Sequence, residues 1–230
     1  MSLIHFDAVL FDCDGVLVDS EPITNRVLRD MLEDIGWPMT LEECMRTFVG
    51  KAVKDEADAI EARTGFRLTP EWLDSFRERR NEALDRELLE IPGAPAAVRA
   101  LHAQLHGRIA CASGADRRKV ELQLDKIGLL DAFLGRVFSG HEMARSKPAP
   151  DVYLAAARAL DVDPRRCAVV EDTVTGAMAG LAAGATVFGY SPGGLGHSSA
   201  DALRAIGAAR IFTDMAALPQ VLAAYRTQDA

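Results

Sequence analysis

The chain has 230 residues, of which 49% are hydrophobic and 26% are charged, a composition typical of a folded globular protein. Its 26 Lys and Arg residues against 34 Asp and Glu residues give a formal net charge of −8, which argues against nucleic acid or anionic membrane as a partner. No run of about eighteen apolar residues predicts a membrane span, and the four cysteines are too widely spaced to suggest disulfides or a zinc site. Since the first residues lack a basic flank and a long apolar run, we expect no secretory signal and a cytoplasmic location.

Short apolar runs recur along most of the chain, and each is followed by a loop and a helical pattern. Continuous apolar runs are typical of strands that are covered on both faces. The alternation of strands and helices predicts an α/β fold, a Rossmann-like doubly wound sheet that is mostly parallel. The predicted strands are residues 8–11, 109–112, 136–138, 168–170, 185–188 and 210–212, and the clearest helices are residues 118–126, 151–160 and 175–183.

One interval, between Val18 and Ile91, shows helical patterns and no convincing strand. About seventy residues are too many for a single crossover connection. We therefore predict a small α-helical module at residues 19–90, inserted into a core made of residues 1–18 and 91–230. An elaborated single domain is the alternative.

The first predicted strand ends in Asp12, Cys13, Asp14 and Gly15. Open parallel sheets bind ligands at the carboxyl ends of their strands, so a site is expected here. The two carboxylates could share a divalent ion, or could divide the roles of nucleophile and acid/base. An ordinary turn rich in Asp is the alternative.

Three further motifs follow later strands. Ser113 and Gly114 could donate hydrogen bonds to a phosphoryl oxygen, although this motif taken alone favours a helix cap or a turn serine ahead of Asp116. Lys147 precedes a proline that favours extended backbone, so its side chain could be held in one direction rather than lie in solvent. Glu171 and Asp172 are adjacent acids that either bind a cation or cap a helix.

All four motifs are expected at the same edge of the sheet, and their charges support one interpretation. The four carboxylates bring about four negative charges, which require cations nearby. One Mg²⁺ and Lys147 would supply three positive charges and leave a site that can accept a phosphate dianion. The sequence therefore predicts a Mg²⁺ site and a small phosphate ester as substrate.

These four motifs, in this order, resemble the haloacid dehalogenase superfamily, whose members transfer phosphoryl groups through an aspartyl-phosphate. The resemblance implies that Asp12 is the nucleophile, and that Asp14 is first the general acid and then the base, with a raised pKa. It also implies that Ser113, with Gly114, and Lys147 bind phosphate. The implied Mg²⁺ ligands are Asp12, the backbone carbonyl of Asp14, Asp172 and Glu171.

One subclass of this superfamily carries a helical cap in the place of the predicted insertion. By that resemblance, the cap closes over the substrate and contacts its far end. The candidates for this contact are Lys51, Arg77, Arg79 and Arg80, and a solvated helical face is the alternative for the arginines. We expect the Gly-rich segment 191–197 to be a flexible surface loop.

Within the superfamily, the first motif is similar to that of bacterial 6-phosphogluconate phosphatases, and phosphoglycolate phosphatases are nearly as close. A phosphatase of sugar or sugar-acid phosphates is therefore predicted, as a monomer or weak homodimer. The alternative is a phosphohexomutase similar to β-phosphoglucomutase. Such mutases carry a cap histidine where this chain has Thr24 and a cap arginine near Val53, although Arg80 falls where their cap lysine lies. A non-catalytic binding module is disfavoured because Asp12 and Asp14 are both present.

Overall fold

A six-stranded sheet forms the centre of the computed structural model, which describes residues 4–226. Its strands are β1 (Ala8–Phe11), β2 (Ile109–Ser113), β3 (Val137–Ser139), β4 (Cys167–Glu171), β5 (Thr186–Tyr190) and β6 (Arg210–Phe212). They lie in the order β3-β2-β1-β4-β5-β6, and within the described residues every neighbouring pair is parallel. All six predicted strands are found. β2 and β4 end one residue later than predicted, because Ser113 and Glu171 are polar and an apolar run does not include them.

Helices cover both faces of this sheet. Successive residues of a strand point to opposite faces, and in β1 Val9 and Phe11 belong to one apolar core while Ala8 and Leu10 belong to another. The first core includes side chains of α5 (Ala94–Gln104), α6 (Arg117–Lys126) and α10 (Leu218–Ala224). The second includes those of α7 (Asp151–Ala159), α8 (Val174–Ala182) and α9 (Ala200–Ala205). The predicted doubly wound α/β fold is confirmed.

The interval between β1 and α5 forms helices and no named strand in this part of the described chain. They are α1 (Glu21–Asp34), α2 (Leu41–Phe48), α3 (Ala57–Thr64) and α4 (Pro70–Glu87). These helices share an apolar cluster of their own, which includes Leu28, Leu32, Phe48, Ile60 and Phe76. We call α1–α4 the cap.

The two connections between the cap and the sheet run side by side. Val18 and Glu90 form an antiparallel bridge, the Asp19 amide donates to the Leu89 carbonyl at 3.0 Å, and the Ile91 amide donates to the Leu17 carbonyl at 2.9 Å. The chain thus leaves and rejoins the core at one place, next to the end of β1. We propose the domain boundaries at this bridge, with residues 19–90 as the inserted unit.

Three other observations concern the whole described chain. All four cysteines are free and buried. None of the helices within residues 4–226 combines the length and apolar character that crossing a membrane requires. The largest side chains that are fully buried include Tyr153, Phe11, Phe133 and Phe188, which lie on or against the sheet.

Gly93 returns the chain from the cap to α5 and has a left-handed backbone, with φ of +84°. A Cβ at this position would lie 2.8 Å from the Ala216 amide nitrogen, whereas a Cβ at Gly65, where φ is +71°, would meet nothing within 4 Å. Gly65→Ala should lower the free energy of unfolding by about 1 kcal/mol through backbone strain. Gly93→Ala should lower it by about 2–4 kcal/mol, because overpacking is added to that strain. Urea denaturation of both variants measures the difference, and equal losses would show that the close approach is unimportant.

Candidate active site

Asp12 lies at the carboxyl end of β1, buried between β4 and the loop before α7. Its amide donates to the Val170 carbonyl at 3.0 Å, which continues the parallel ladder by one residue. This pairing directs Asp12 toward the same sheet edge as Glu171 and Asp172, which end and follow β4. The side chains of all three acids are buried.

Lys147 brings a positive charge into this group of acids. Its Nζ donates to Asp12 Oδ1 at 2.7 Å, to Glu171 Oε1 at 2.6 Å and to the Tyr153 hydroxyl at 3.0 Å. Burial alone would lower the pKa of Lys147, but Asp12 and Glu171 outweigh it and raise the pKa well above its usual value. Lys147 is therefore an ammonium that is shared between two carboxylates.

Both carboxylate oxygens of Glu171 accept hydrogen bonds. Its Oε1 accepts from Lys147 and, at 2.7 Å, from the Tyr153 hydroxyl. Its Oε2 accepts from the amides of Asp172 and Thr173 at 3.1 and 3.3 Å, at the start of α8, where the helix dipole favours an anion. A Cβ at Gly176 would lie 1.8 Å from Glu171 Oε1, so glycine is required for this approach. The predicted role of Glu171 as a metal ligand stays a prediction.

Asp172 shows that this group of acids fits a metal ion. Carboxylate oxygens of Asp12, Glu171 and Asp172 lie within 4.8 Å of one another. Asp172 Oδ1 is buried and has no hydrogen-bond partner in the described part of the chain. Burial, followed by the charges of Glu171 and Asp12, raises the pKa of Asp172 well above its usual value. A buried oxygen without a donor, among anionic oxygen ligands, is the environment that a divalent cation stabilises.

Gly15 allows the loop after β1 to approach Asp172. Its φ is +75°, and a Cβ here would lie 2.2 Å from Asp172 Oδ2, so only glycine fits without displacing the carboxylate. On the other side, His197 Nε2 lies 3.0 Å from the Gly15 carbonyl oxygen. Segment 191–197 was predicted to be a flexible surface loop, and this prediction is wrong at its two ends. Ser191 is buried, and His197 packs against the loop after β1 with a side chain that is 11% exposed.

The environment of Asp14 differs from the one predicted. Lys119 Nζ lies 2.7 Å from its Oδ1, and Gln123 Nε2 and Ser20 Oγ donate to the same oxygen, the former at 2.8 Å. Burial would raise the pKa of Asp14, but Lys119, Ser20 and Gln123 outweigh it and lower the pKa to about 2. The expectation of a raised pKa is therefore wrong for the structure as it stands, because α6 supplies donors that the motif itself does not contain.

Asp12 and Asp14 open onto a cavity of about 320 Å³ between the sheet edge and the cap. Ser113 and Gly114, at the end of β2, line the same cavity with Lys147. Ser113 Oγ accepts from the Ala115 amide at 3.1 Å, which leaves its own proton free for donation. The structure thus brings these five predicted residues together around one cavity.

The predicted cap residues are placed unequally. Lys51 lines the cavity with an exposed side chain, and its Nζ lies 3.3 Å from Glu56 Oε2. Arg80 is buried in the cavity wall, and its guanidinium donates to Asp116 Oδ2 at 2.8 Å, so a solvated face is excluded for this residue. Arg77 also lines the cavity, whereas Arg79 is exposed near Asp34 and is not among its lining residues.

Several lining residues are not among the predicted site residues. Glu21, Thr24 and Asn25 lie on the first turns of α1, and Lys119 lies on α6. Burial raises the pKa of Glu21 to about 7, against the opposing effect of Lys119. The packing of α1 and α6 at the sheet edge, which is a tertiary feature, brings these side chains to the cavity.

Comparisons with known proteins agree with this geometry. The haloacid dehalogenase-like hydrolase family matches residues 6–184 of the chain. The chain is 33% identical over 185 residues to the 6-phosphogluconate phosphatase of Escherichia coli (strain K12), covering 80% of this chain and 82% of that protein. A crystal structure of a family hydrolase from Deinococcus radiodurans R1, with bound phosphate and sodium, is 38% identical, with a TM-score of 0.76 over 96% of each chain. A putative β-phosphoglucomutase structure from Thermotoga maritima is 25% identical, with a TM-score of 0.74 over 94% of this chain and 97% of that one.

The group of buried acids should make the stability of the protein depend on divalent cations. At a concentration about 100 times the Kd, a cation that binds only the folded state adds about 2.7 kcal/mol to the free energy of unfolding. We expect Mg²⁺ or Mn²⁺ to raise the melting temperature, and Asp172→Asn to remove most of that increase. The exposed Asp201→Asn is the control and should keep it. An unchanged increase in Asp172→Asn would contradict the proposed metal position.

Proposed function

The chain belongs to the haloacid dehalogenase-like hydrolase family, and on that premise we propose that it is a Mg²⁺-dependent phosphatase of sugar or sugar-acid phosphates. The observation that carries the proposal is the placement of Asp12. Its Oδ1 accepts a hydrogen bond from Lys147, it lines the cavity, and it lies near Asp172 Oδ1, which has no partner among residues 4–226. The substrate is a small phosphate ester, and the reaction proceeds through an aspartyl-phosphate.

Asp12 is the proposed nucleophile. Lys147 orients the carboxylate through Oδ1, so the other oxygen can attack phosphorus while the bond from phosphorus to the ester oxygen breaks. Burial, opposed by Lys147, raises the pKa of Asp12 to about 7. Positive charge near Asp12 therefore favours the ionised form that attacks.

Asp14 is the proposed acid and base. It gives a proton to the departing ester oxygen, and it then removes a proton from the water that attacks the aspartyl-phosphate and releases inorganic phosphate. Its low pKa in the structure corresponds to the base form. An incoming phosphate adds negative charge nearby, which favours the protonated form needed for the first step.

The proposed phosphate-binding groups come from the end of β2 and from the loop before α7. The Ser113 hydroxyl, the Gly114 amide and Lys147 line the cavity around Asp12 and would contact the phosphoryl oxygens. Asp12, Asp172, Glu171 and the Asp14 backbone carbonyl would hold Mg²⁺. When bound, Mg²⁺ supplies positive charge that reduces the repulsion between the Asp12 carboxylate and the phosphate.

Polar groups of α1 support a sugar as the leaving group. Thr24 Oγ1 is buried, and no residue in the described ranges bonds to it. Glu21 and Asn25 flank it, with Asn25 Nδ2 donating to Glu21 Oε2 at 2.8 Å. A hydroxyl, an amide and a carboxyl group side by side can bond several sugar hydroxyls.

Cationic residues in the lining of the cavity favour an acidic group on the substrate. Burial lowers the pKa of His141, and so do the nearby cations Lys54, Arg77 and Arg80. All four residues line the cavity. A carboxylate at the far end of a sugar-acid phosphate would meet this positive wall, in keeping with the activity for which the Escherichia coli relative is named.

The rival function, a phosphohexomutase, is less well supported. Thr24 and Val53 both line the cavity, and neither can take the place of the histidine and the arginine that such mutases carry. Without these groups, a second phosphate would have no matching charge at those positions. We therefore propose hydrolysis over mutase activity.

Replacing the nucleophile tests the chemistry. Asp12→Asn keeps the size of the side chain but removes its nucleophilic oxygen, so hydrolysis of p-nitrophenyl phosphate in Mg²⁺ should fall by at least about 10³-fold. Circular dichroism should show an unchanged fold, and Asp201→Asn should keep full activity. Substantial turnover by Asp12→Asn would exclude Asp12 as the nucleophile.

Paired substrates test the specificity. We expect a higher kcat/KM for 6-phosphogluconate than for glucose 6-phosphate, because only the former carries a carboxylate for the positive wall. Arg77→Met should reduce that preference by about 10-fold, whereas Arg79→Met, outside the cavity, should not change it. Conversion of β-glucose 1-phosphate to the 6-phosphate, rather than to glucose, would favour a mutase instead.

A further inference from the structure

Helix α6 carries two buried polar side chains that both reach the same atom of Asp14. Lys119 and Gln123 are four residues apart and so share a helical face. Lys119 Nζ lies 2.7 Å and Gln123 Nε2 lies 2.8 Å from Asp14 Oδ1. The residues are 5% and 0% exposed, in a helix whose other buried residues are Val120 and Leu124. Two polar side chains in an otherwise apolar face require an explanation.

Stability alone does not provide that explanation. A buried lysine–carboxylate pair loses hydration on both sides, and apolar side chains of similar size are commonly as stabilising or more so. What Lys119 and Gln123 do provide is a fixed orientation of the Asp14 carboxylate. Gln123 is itself oriented, because its Oε1 accepts from Cys13 Sγ at 3.4 Å, so that its amide nitrogen faces Asp14.

All the donors act on one side of Asp14. Gln123 Nε2 and Ser20 Oγ donate to Oδ1, and Lys119 Nζ forms an ion pair with the same oxygen at 2.7 Å. Within residues 4–226 no group donates a hydrogen bond to the second oxygen, Oδ2, and Asp14 lines the cavity. A carboxylate that is held through one oxygen, by an ion pair and two hydrogen bonds, is restricted in its rotation about χ2.

The position of α6 is set in turn by its first turn. Asp116 caps the helix, with its Oδ1 accepting from the Lys119 amide at 3.0 Å. Its Oδ2 accepts from Arg80 of α4 at 2.8 Å. Asp116 therefore connects the first turn of α6, which carries Lys119, to helix α4 of the cap.

We propose that Lys119 and Gln123 are positioning residues, which hold Asp14 so that its free oxygen faces the leaving-group oxygen and the attacking water. This inference rests on the proposed function. Neither residue is required to exchange a proton. Both act through the orientation of Asp14, and misplacement of an acid/base group by about 1 Å costs on the order of 100-fold in rate.

The test compares Lys119→Met and Gln123→Met in two backgrounds, wild type and Asp14→Asn, with p-nitrophenyl phosphate and Mg²⁺. In the wild-type background each variant should lower kcat by about 10–100-fold and change KM by less than about 3-fold. In the Asp14→Asn background the same substitutions should change kcat by less than about 2-fold, because the group that they position no longer acts.

Arg118→Met is the matched control, since Arg118 is the exposed neighbour of Lys119 on the same helix, and it should keep the wild-type kcat. Melting temperatures are measured for every variant to show that it folds. If Lys119→Met does not fold, the comparison of the two backgrounds is made with Gln123→Met alone. Equal losses in both backgrounds would mean that the residues act on substrate or on folding, and this would overturn the inference. A wild-type kcat in both variants would overturn it while leaving the phosphatase assignment intact. An inactive wild-type protein would overturn both.

Discussion

The arrangement of the whole site depends on holding Asp12, Glu171 and Asp172 together out of water. Their carboxylate oxygens lie within 4.8 Å of one another, so the buried like charges repel strongly, and each has also lost its hydration. Lys147 offsets two of them, and amides at the start of α8 offset part of the charge on Glu171. Within residues 4–226, Asp172 Oδ1 has no such donor, and a cation bound there would offset the charge that remains.

The fold provides this arrangement through the parallel sheet. The carboxyl ends of β1, β2 and β4 lie side by side. Residues that follow these strands therefore meet at one edge of the sheet, although they are more than one hundred positions apart in the sequence. Two glycines then permit the close approach of backbone to carboxylate. Gly15 lies against Asp172 and Gly176 lies against Glu171, and a methyl group at either place would occupy the position of an oxygen atom.

The sequence was sufficient for the sheet and for the four motifs at its edge, because both are local signals. Apolar runs located β1 and β6 to the residue, and the polar residues that follow each run predicted which side chains would meet. The sequence was insufficient for Lys119, Tyr153 and His197. Each comes from a helix or loop whose own pattern is unremarkable, and each reaches the site only through packing on the sheet. The wrong expectation for the pKa of Asp14 has the same origin, since its cause is the packing of α6.

Asp12 and Asp14 are two residues apart, yet their environments shift their pKa values in opposite directions. Burial and two neighbouring acids raise the pKa of Asp12 to about 7 despite Lys147, whereas Lys119 and two further donors lower the pKa of Asp14 to about 2. A cation beside Asp12 lowers its pKa and stabilises the ionised nucleophile, and an incoming phosphate raises the pKa of Asp14. The two ligands of the proposed reaction therefore shift the two carboxylates in opposite directions, each toward the protonation state that its role requires. The proposed roles follow from the surroundings of the two residues, and most of those surroundings are supplied by α6, β4 and the loop before α7 rather than by the motif itself.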